Sequence, residues 1–191
     1  MREMTARGYD CRDLSRTSGF DVGDEESVSR FFGELKRLDV LVNNAAILEL
    51  APIIDMTVEA WDEVIRVGLR GAFLCSRAAF RLMKPGGTIV NVSSLSGFSG
   101  TDKFPRMSAY VAAKSGLAGL TEALAVEGRP MGIRVNAVSP ASVATEMGRM
   151  AGIAQDPLTP EEVARVVCWL ATSDSAPLTG ANIRIDPPAR G

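Results

Sequence analysis

The chain has 191 residues, 46 % of them hydrophobic and 23 % charged, a balance expected of one soluble globular domain and not of a disordered tail or a membrane protein. A formal net charge of -2, with no run of Lys or Arg, argues against nucleic acid or an anionic membrane as partner. The absence of histidine removes Ser-His-Asp and Cys-His nucleophilic schemes and most transition-metal sites.

Apolar runs of strand length alternate with helical patterns over residues 1–191, the order expected of a single α/β domain with a parallel sheet. Tyr9 to Leu14 is read as a strand, although Asp10, Arg12 and Asp13 make it polar. Asp24 caps a helix with Glu25 and Glu26 in its first turn, running to about Leu35. Asp39-Val40-Leu41-Val42 is a buried strand. Thr57 starts a long helix, with Glu59 and Glu63 early and Arg81 and Lys84 late, which Pro85-Gly86-Gly87 stops. Thr88 to Val92 is the next strand, and Ala109 to Glu127 the next helix, ended by Gly128 and Pro130. Ile133 to Val138 is a strand, Pro160 to Thr172 a helix and Ala181 to Ile185 a last strand. Cys11, Cys75 and Cys168 are isolated and odd in number, with no Cys-x-x-Cys spacing. Neither a disulfide framework nor a zinc site is expected from them, and a reducing, cytoplasmic setting fits best.

Tyr110-Val111-Ala112-Ala113-Lys114, just beyond the strand that ends at Ser93-Ser94, carries the chemistry. Residues i and i+4 share a helix face, so the Lys114 stem lies beside the Tyr110 ring. A neighbouring cation and the positive end of a helix starting near Ser108 both favour the phenolate, which predicts a proton donor and acceptor near neutral pH. Tyr-x-x-x-Lys alone is a weak pattern that any amphipathic helix produces by chance. Ser94 taken alone is equally a strand-end serine capping a turn.

Taken together these pieces resemble the short-chain dehydrogenase/reductase family over nearly the whole chain. Leu41-Val42-Asn43-Asn44-Ala45-Ala46 is similar to the family's Asn-Asn-Ala-Gly turn, and Thr57 to Arg77 to its long interface helix. Ile89 to Ser94 resembles the strand carrying the catalytic serine. Pro140-Ala141-Ser142-Val143-Ala144-Thr145 resembles the Pro-Gly-x-x-x-Thr segment that reaches the nicotinamide, and Leu178-Thr179-Gly180 with Asp186 the C-terminal strand region. The resemblance implies a Rossmann-like doubly wound parallel sheet. It also implies an oxidoreductase that interconverts a small-molecule carbonyl and a secondary alcohol by hydride transfer.

On that resemblance the catalytic residues are Ser94, Tyr110 and Lys114. Tyr110 passes the carbonyl/alcohol proton, Lys114 holds Tyr110 near phenolate and touches the nicotinamide ribose, and Ser94 binds the substrate oxygen. Asn91 and Ser93 are read as structural. Dinucleotide contacts are implied for Ser15, Arg16, Asp21, Val22, Asn44, Ala45, Ala46, Tyr110, Lys114, Pro140, Val143 and Thr145, and no metal is expected. NAD-preferring relatives usually carry an acid at the end of the second strand. Leu14-Ser15-Arg16-Thr17 stands there instead and suits a 2′-phosphate, so NADP(H) is favoured over NAD(H), with Arg16 as a solvated loop residue the alternative. Asp21-Val22 resembles the family's adenine-contacting Asp-Val; a turn before the Asp24-capped helix is the plainer reading. A homodimer or homotetramer, paired through the helices Thr57 to Lys84 and Ala109 to Glu127, follows from the resemblance alone.

Departures from the family pattern matter as much. The asparagine of the long helix falls at Gly68, where a glycine still tolerates the helix distortion that presents its carbonyl; an impaired proton relay is expected. Ala141 replaces a glycine, and Pro187-Pro188 replaces the final glycines. The first strand and its Thr-Gly-x-x-x-Gly-x-Gly turn have no counterpart, and Met1 to Gly8 resembles the back half of the helix after that turn. The sheet is therefore expected to lack its usual first strand in a domain incomplete at its N-terminus, as a misplaced start codon would leave it. Direct pairing of Tyr9 to Leu14 with Asp39 to Asn43 is disfavoured, because the former is too polar for a central strand. Binding of NADPH weaker than micromolar follows. A cofactor-free relative serving as an oligomerisation or structural partner is the second reading. A Ser94/Lys114 hydrolase is the third, and it lacks any Gly-x-Ser-x-Gly context. Met147, Met150 and Ile153 are expected in an apolar pocket wall or a packed lid.

Overall fold

The computed structural model describes residues 1–152 and 156–187; Ile153 and Pro188 lie outside them. Helix α1 (Arg2–Ala6) is the first element. Residues 9–14 then run without secondary structure, which corrects the strand expected there. A strand needs a ladder partner, and Asp10, Arg12 and Asp13 stay exposed. Tyr9 and Cys11 pack on one side of the sheet and Leu14 on the other. The segment keeps the side-chain alternation of a strand without its hydrogen bonds.

Local chemistry sets the helix boundaries. Helix α2 (Glu25–Gly33) starts where Asp24 accepts from the Ser27 N–H at 2.9 Å, with Glu25 and Glu26 at the positive end of the dipole. Helix α3 (Val58–Ile65) is capped by the Thr57 hydroxyl, which accepts from Ala60 N–H at 3.1 Å. It passes through one π-helical turn, Arg66–Arg70, into α4 (Gly71–Leu82), so the long helix is continuous but distorted around Gly68. Helix α5 (Ser108–Gly128) has Leu117, Thr121 and Leu124 among its buried residues. A five-residue α6 (Glu146–Met150) is capped by Thr145 and has no counterpart in the sequence reading. Thr159 and Glu162 form a reciprocal capping box on α7 (Pro160–Ala171), with Pro160 at its first position.

Four strands form one parallel sheet: β1 (Val40–Asn43), β2 (Thr88–Val92), β3 (Arg134–Pro140) and β4 (Asn182–Ile185), in the order β1-β2-β3-β4. Period-two alternation sorts the core into two layers. Ile89 and Val135 meet Leu74, Cys75 and Ala79 of α4 and Leu124 and Ala125 of α5. Val90 and Val138, one residue out of phase in each strand, meet Cys168 and Leu170 of α7. Helices therefore cover both faces, the arrangement of a Rossmann-like α/β fold. Among the described residues no strand pairs with the outer edge of β1, and residues 9–14 make no backbone ladder to it, as their polarity led one to expect. No helix among them is long and apolar enough to cross a membrane.

All four strands run the same way, so their carboxyl ends share one edge. Asn44 to Ala46, Ser93-Ser94, and Ala141 to Thr145 leave the sheet there, where ligands bind in open α/β sheets.

Candidate active site

Ser94 stands two residues beyond β2. Its hydroxyl accepts from the Ser96 N–H at 3.2 Å and opens a short 3-10 turn, Leu95–Gly97. That turn packs directly on α5. A Cβ on Gly97 would sit 2.4 Å from the Lys114 carbonyl carbon, so only glycine allows the Ser94 segment to lie this close. Ser93 fixes the same junction: its N–H donates to the Val138 carbonyl at 2.7 Å and its hydroxyl to the Lys114 carbonyl at 2.9 Å. Ser94 is thus both turn cap and site residue, and Ser93 is structural, as expected.

Tyr110 and Lys114 lie one turn apart near the start of α5, and the Lys114 ammonium is 5.6 Å from the Tyr110 ring centroid. Lys114 is 2 % exposed, and Nζ donates to the Val92 carbonyl at 2.6 Å. Burial pushes its pKa down to about 8. Two of its three N–H donors have no partner among the described residues, which suits the hydroxyls of a ribose. Burial raises the Tyr110 phenol above its ordinary value, only partly offset by hydrogen bonding with the Ser94 hydroxyl. This corrects the expectation of a phenolate-favouring site. The ammonium donates to the Val92 carbonyl and lies over the ring face, so desolvation wins and Tyr110 is a neutral acid at pH 7.

Behind this trio lies a buried polar chain that sequence reasoning left undeveloped. Asn43 Nδ2 donates to Ser76 Oγ at 3.1 Å and to Asn91 Oδ1 at 2.8 Å. Asn91 Nδ2 donates to Thr121 Oγ1 at 2.8 Å, and the Thr121 hydroxyl donates to the Leu117 carbonyl at 2.8 Å. The chain ties β1 and β2 to α4 and α5, so every buried polar group in it is satisfied and α5 is held in register. In sequence it shows only as the Asn43-Asn44 pair and as Asn91, read as structural. Gly68 sits in the π-helical turn, buried, and a Cβ there would lie 3.3 Å from Ala113 Cβ, next to Lys114.

The residues read as dinucleotide contacts fall into two groups. Half-buried Ser15 and exposed Arg16 begin a 3-10 turn, Arg16–Ser18. Asp21 is gripped: Gly23 N–H donates to Oδ1 at 2.8 Å, and Arg66 Nη1 donates to Oδ1 and Oδ2 at 3.0 and 2.8 Å. Burial pushes the Asp21 carboxyl up, and these donors more than reverse it, leaving its pKa below the ordinary value. Oδ1 has both lone pairs engaged and Oδ2 keeps one acceptor position, enough for a single amino N–H. Val22 packs beside it against Gly71. At the carboxyl edge of the sheet, Asn44 and Ala45 are exposed and Ala46 half-buried. Pro140 is buried at the end of β3, Val143 bridges to Leu158, and Thr145 spends its hydroxyl on the α6 cap. Met147 is half-buried and Met150 57 % exposed, so Met150 walls no closed pocket.

This donor set fits the two ends of a nicotinamide dinucleotide. Arg16 offers an exposed cation that would suit a 2′-substituent, Asp21 an acceptor position that would suit an amino group, and Lys114 ammonium donors that would suit the second ribose. Among the described residues no glycine-rich turn stands ready for a pyrophosphate, and no group of Cys, Asp and Glu is arranged to hold a metal.

Residues 7–187 match the enoyl-(acyl carrier protein) reductase family model. The trans-4-hydroxycyclohexanecarboxylate dehydrogenase of Sinomonas cyclohexanicum is 40 % identical over 186 residues, a match covering 92 % of this chain and 71 % of that protein. The 3-oxoacyl-[acyl-carrier-protein] reductase FabG of Thermotoga maritima is 38 % identical over 175 residues, covering 85 % and 70 %. A short chain dehydrogenase from Burkholderia cenocepacia, solved in complex with NADP, superposes with a TM-score of 0.80 at 30 % identity, over 87 % of this chain and 73 % of that one.

Proposed function

The chain belongs to the short-chain dehydrogenase/reductase family, and from that premise we propose that it interconverts a small carbonyl compound and its secondary alcohol with NADP(H), using Tyr110 as proton donor and acceptor. The convergence of Ser94, Tyr110 and Lys114 between the end of β2 and the first turns of α5 carries this reading. A bound nicotinamide dinucleotide supplies the hydride. In the reducing direction the neutral Tyr110 phenol gives its proton to the substrate oxygen as that oxygen gains charge. The Ser94 hydroxyl donates a hydrogen bond to the same oxygen. The phenolate left behind is stabilised by the Lys114 ammonium beside the ring. In the oxidising direction Tyr110 must first lose its proton and then accepts one from the alcohol.

Arg16 supports the preference for NADP(H), since its guanidinium is exposed and loosely held. Ser15, Asp21 and Val22 would line the adenosine end, with Asn44, Ala45, Ala46, Pro140, Val143 and Thr145 at the carboxyl edge of the sheet and Tyr110 and Lys114 at the nicotinamide end. A homodimer or homotetramer through α3–α4 and α5 is supported by exposed apolar side chains on those helices, Val58, Phe73 and Val126. Three cysteines without disulfides support a cytoplasmic setting.

The test is calorimetric titration of this chain with NADPH, together with an assay of reduced-nicotinamide formation from NADP⁺ and trans-4-hydroxycyclohexanecarboxylate, the alcohol named for one relative. Saturable binding weaker than micromolar and measurable turnover are expected. Neither binding at millimolar NADPH nor turnover would sink the proposal. It would favour the second reading, a cofactor-free oligomerisation or structural partner. Gly68→Asn is expected to raise turnover at a small cost in stability, because its Cβ must displace Ala113 by a few tenths of an ångström. Unchanged or lower turnover would refute a relay role for this position.

A further inference from the structure

The adenosine end of the proposed site carries an ion cluster assembled from two distant segments. Arg66 is fully committed: Nε and Nη2 donate to Glu63 at 2.5 and 2.9 Å, while Nη1 holds both oxygens of Asp21. Arg16 is not. Its side chain is 66 % exposed, and Glu63 Oε1 lies 3.8 Å from its Nη1, beyond hydrogen-bond distance. Glu63 therefore stands between a cation that it hydrogen-bonds and one that it holds only in a long ion pair. Hydrogen bonds from Arg66 hold its pKa below the ordinary range, so it is ionised at neutral pH.

The charges of these four side chains cancel. Asp21 and Glu63 balance Arg16 and Arg66, so a phosphate dianion arriving at Arg16 finds no surplus positive charge and a carboxylate already nearby. A ribose with a free 2′-hydroxyl meets the opposite situation, because Glu63 can accept that hydroxyl's proton in a hydrogen bond, as an acid does for NAD in other dinucleotide sites.

Resting on the dinucleotide reading above, we infer that Glu63 is a specificity-determining residue at the adenosine ribose. It competes with a 2′-phosphate for Arg16 and offers an acceptor to a 2′-hydroxyl, so the native chain separates NADP from NAD only weakly. Glu63→Gln removes the competing charge while keeping an acceptor for Arg66 and nearly the same shape.

Dissociation constants for adenosine 2′,5′-bisphosphate against AMP, and for NADP⁺ against NAD⁺, test this by calorimetry on the native chain, Glu63→Gln and Arg16→Ala. The first pair needs no pyrophosphate turn. Glu63→Gln is expected to move both affinity ratios toward the 2′-phosphorylated ligand by about 3- to 10-fold, the scale of removing one partly exposed charge beside a dianion. Arg16→Ala is expected to move them the other way. A ratio unmoved or reversed in Glu63→Gln, with the ligands still binding, overturns the role of Glu63 and leaves the dinucleotide reading standing. Failure of the native chain to bind any of the four ligands overturns both.

Discussion

Tyr110→Phe is expected to lower turnover by about 10²- to 10⁴-fold, the range general acid–base catalysis contributes, while leaving dinucleotide affinity and the urea midpoint nearly unchanged. The substitution removes one oxygen from a half-buried ring and keeps the ring face beside Lys114. The lost group is the acid, so the effect falls on kcat and not on binding. A loss of less than about tenfold would show that another group moves the proton. The pH profile supplies an independent check with a fixed sign. Tyr110 stays protonated at neutral pH because burial raises its pKa, and Lys114 is charged only below about 8. Reduction needs the neutral phenol and the charged ammonium together. Its rate is therefore expected to fall as pH rises through about 8, whereas alcohol oxidation, which starts from the phenolate, is expected to climb. Lys114→Met should lose the inflection near 8 as well as rate. A reduction rate flat from pH 6 to about 9 would place control elsewhere.

Arg134→Leu is expected to do the reverse, destabilising the fold without touching the chemistry. Arg134 opens β3 at the amino edge of the sheet, opposite the candidate site. Nη1 donates to the Ser175 hydroxyl at 2.8 Å and the Leu178 carbonyl at 3.4 Å. Nη2 donates to the Thr88 hydroxyl at 3.0 Å and to the Leu170 and Thr172 carbonyls at 3.3 and 2.7 Å. None of these partners is a carboxylate. The guanidinium instead satisfies the last carbonyls of α7, where the helix dipole is negative, and joins them to β2 and to the segment leading into β4. Burial lowers its pKa from the ordinary value, yet a guanidinium remains charged. Leucine removes the charged donor from those carbonyls and leaves only neutral ones near them, the Ser175 hydroxyl 3.1 Å from the Leu170 and Thr172 carbonyls and Asn136 Nδ2 3.0 Å from the Leu178 carbonyl. With charged hydrogen bonds worth about 1.5–3 kcal/mol each and not additive, a loss of about 3–5 kcal/mol is expected, a large share of the roughly 5–15 kcal/mol that holds a domain together. Urea unfolding measures it, and turnover per folded molecule should stay at the native level. Arg134→Lys, with one point charge in place of a fork, should recover less than half of the loss. A midpoint shift equivalent to under about 1 kcal/mol would mean that solvent replaces the guanidinium freely.

Much of this architecture is legible in the chain. Asp24 and Thr57 mark helix starts where caps form, and Pro160 stands at the first position of the helix expected from it, while the apolar runs at 40–43, 88–92 and 134–140 become strands within one or two residues of their expected ends. The distortion expected around Gly68 is a π-helical turn. Residues 9–14 misled because their alternation is that of a strand, whereas strand formation also requires a neighbouring ladder, which no local pattern reports. Gly97 was passed over because its role is defined by what it touches, the backbone of Lys114 seventeen residues later.

The sequence by itself determined which residues pair along a helix, where the helices begin, and that Ser94, Tyr110 and Lys114 belong to one chemistry. These depend on interactions within a few residues. Only the tertiary structure decided the protonation of that chemistry and the state of the adenosine end. Desolvation of Tyr110 and Lys114 comes from elements packed around α5, and Asp21 meets Arg66 across forty-five positions of chain. Burial and long-range charge are properties of the assembled fold, so the same Tyr-x-x-x-Lys that suggests a phenolate in isolation is, once packed, a neutral acid beside a weakened cation.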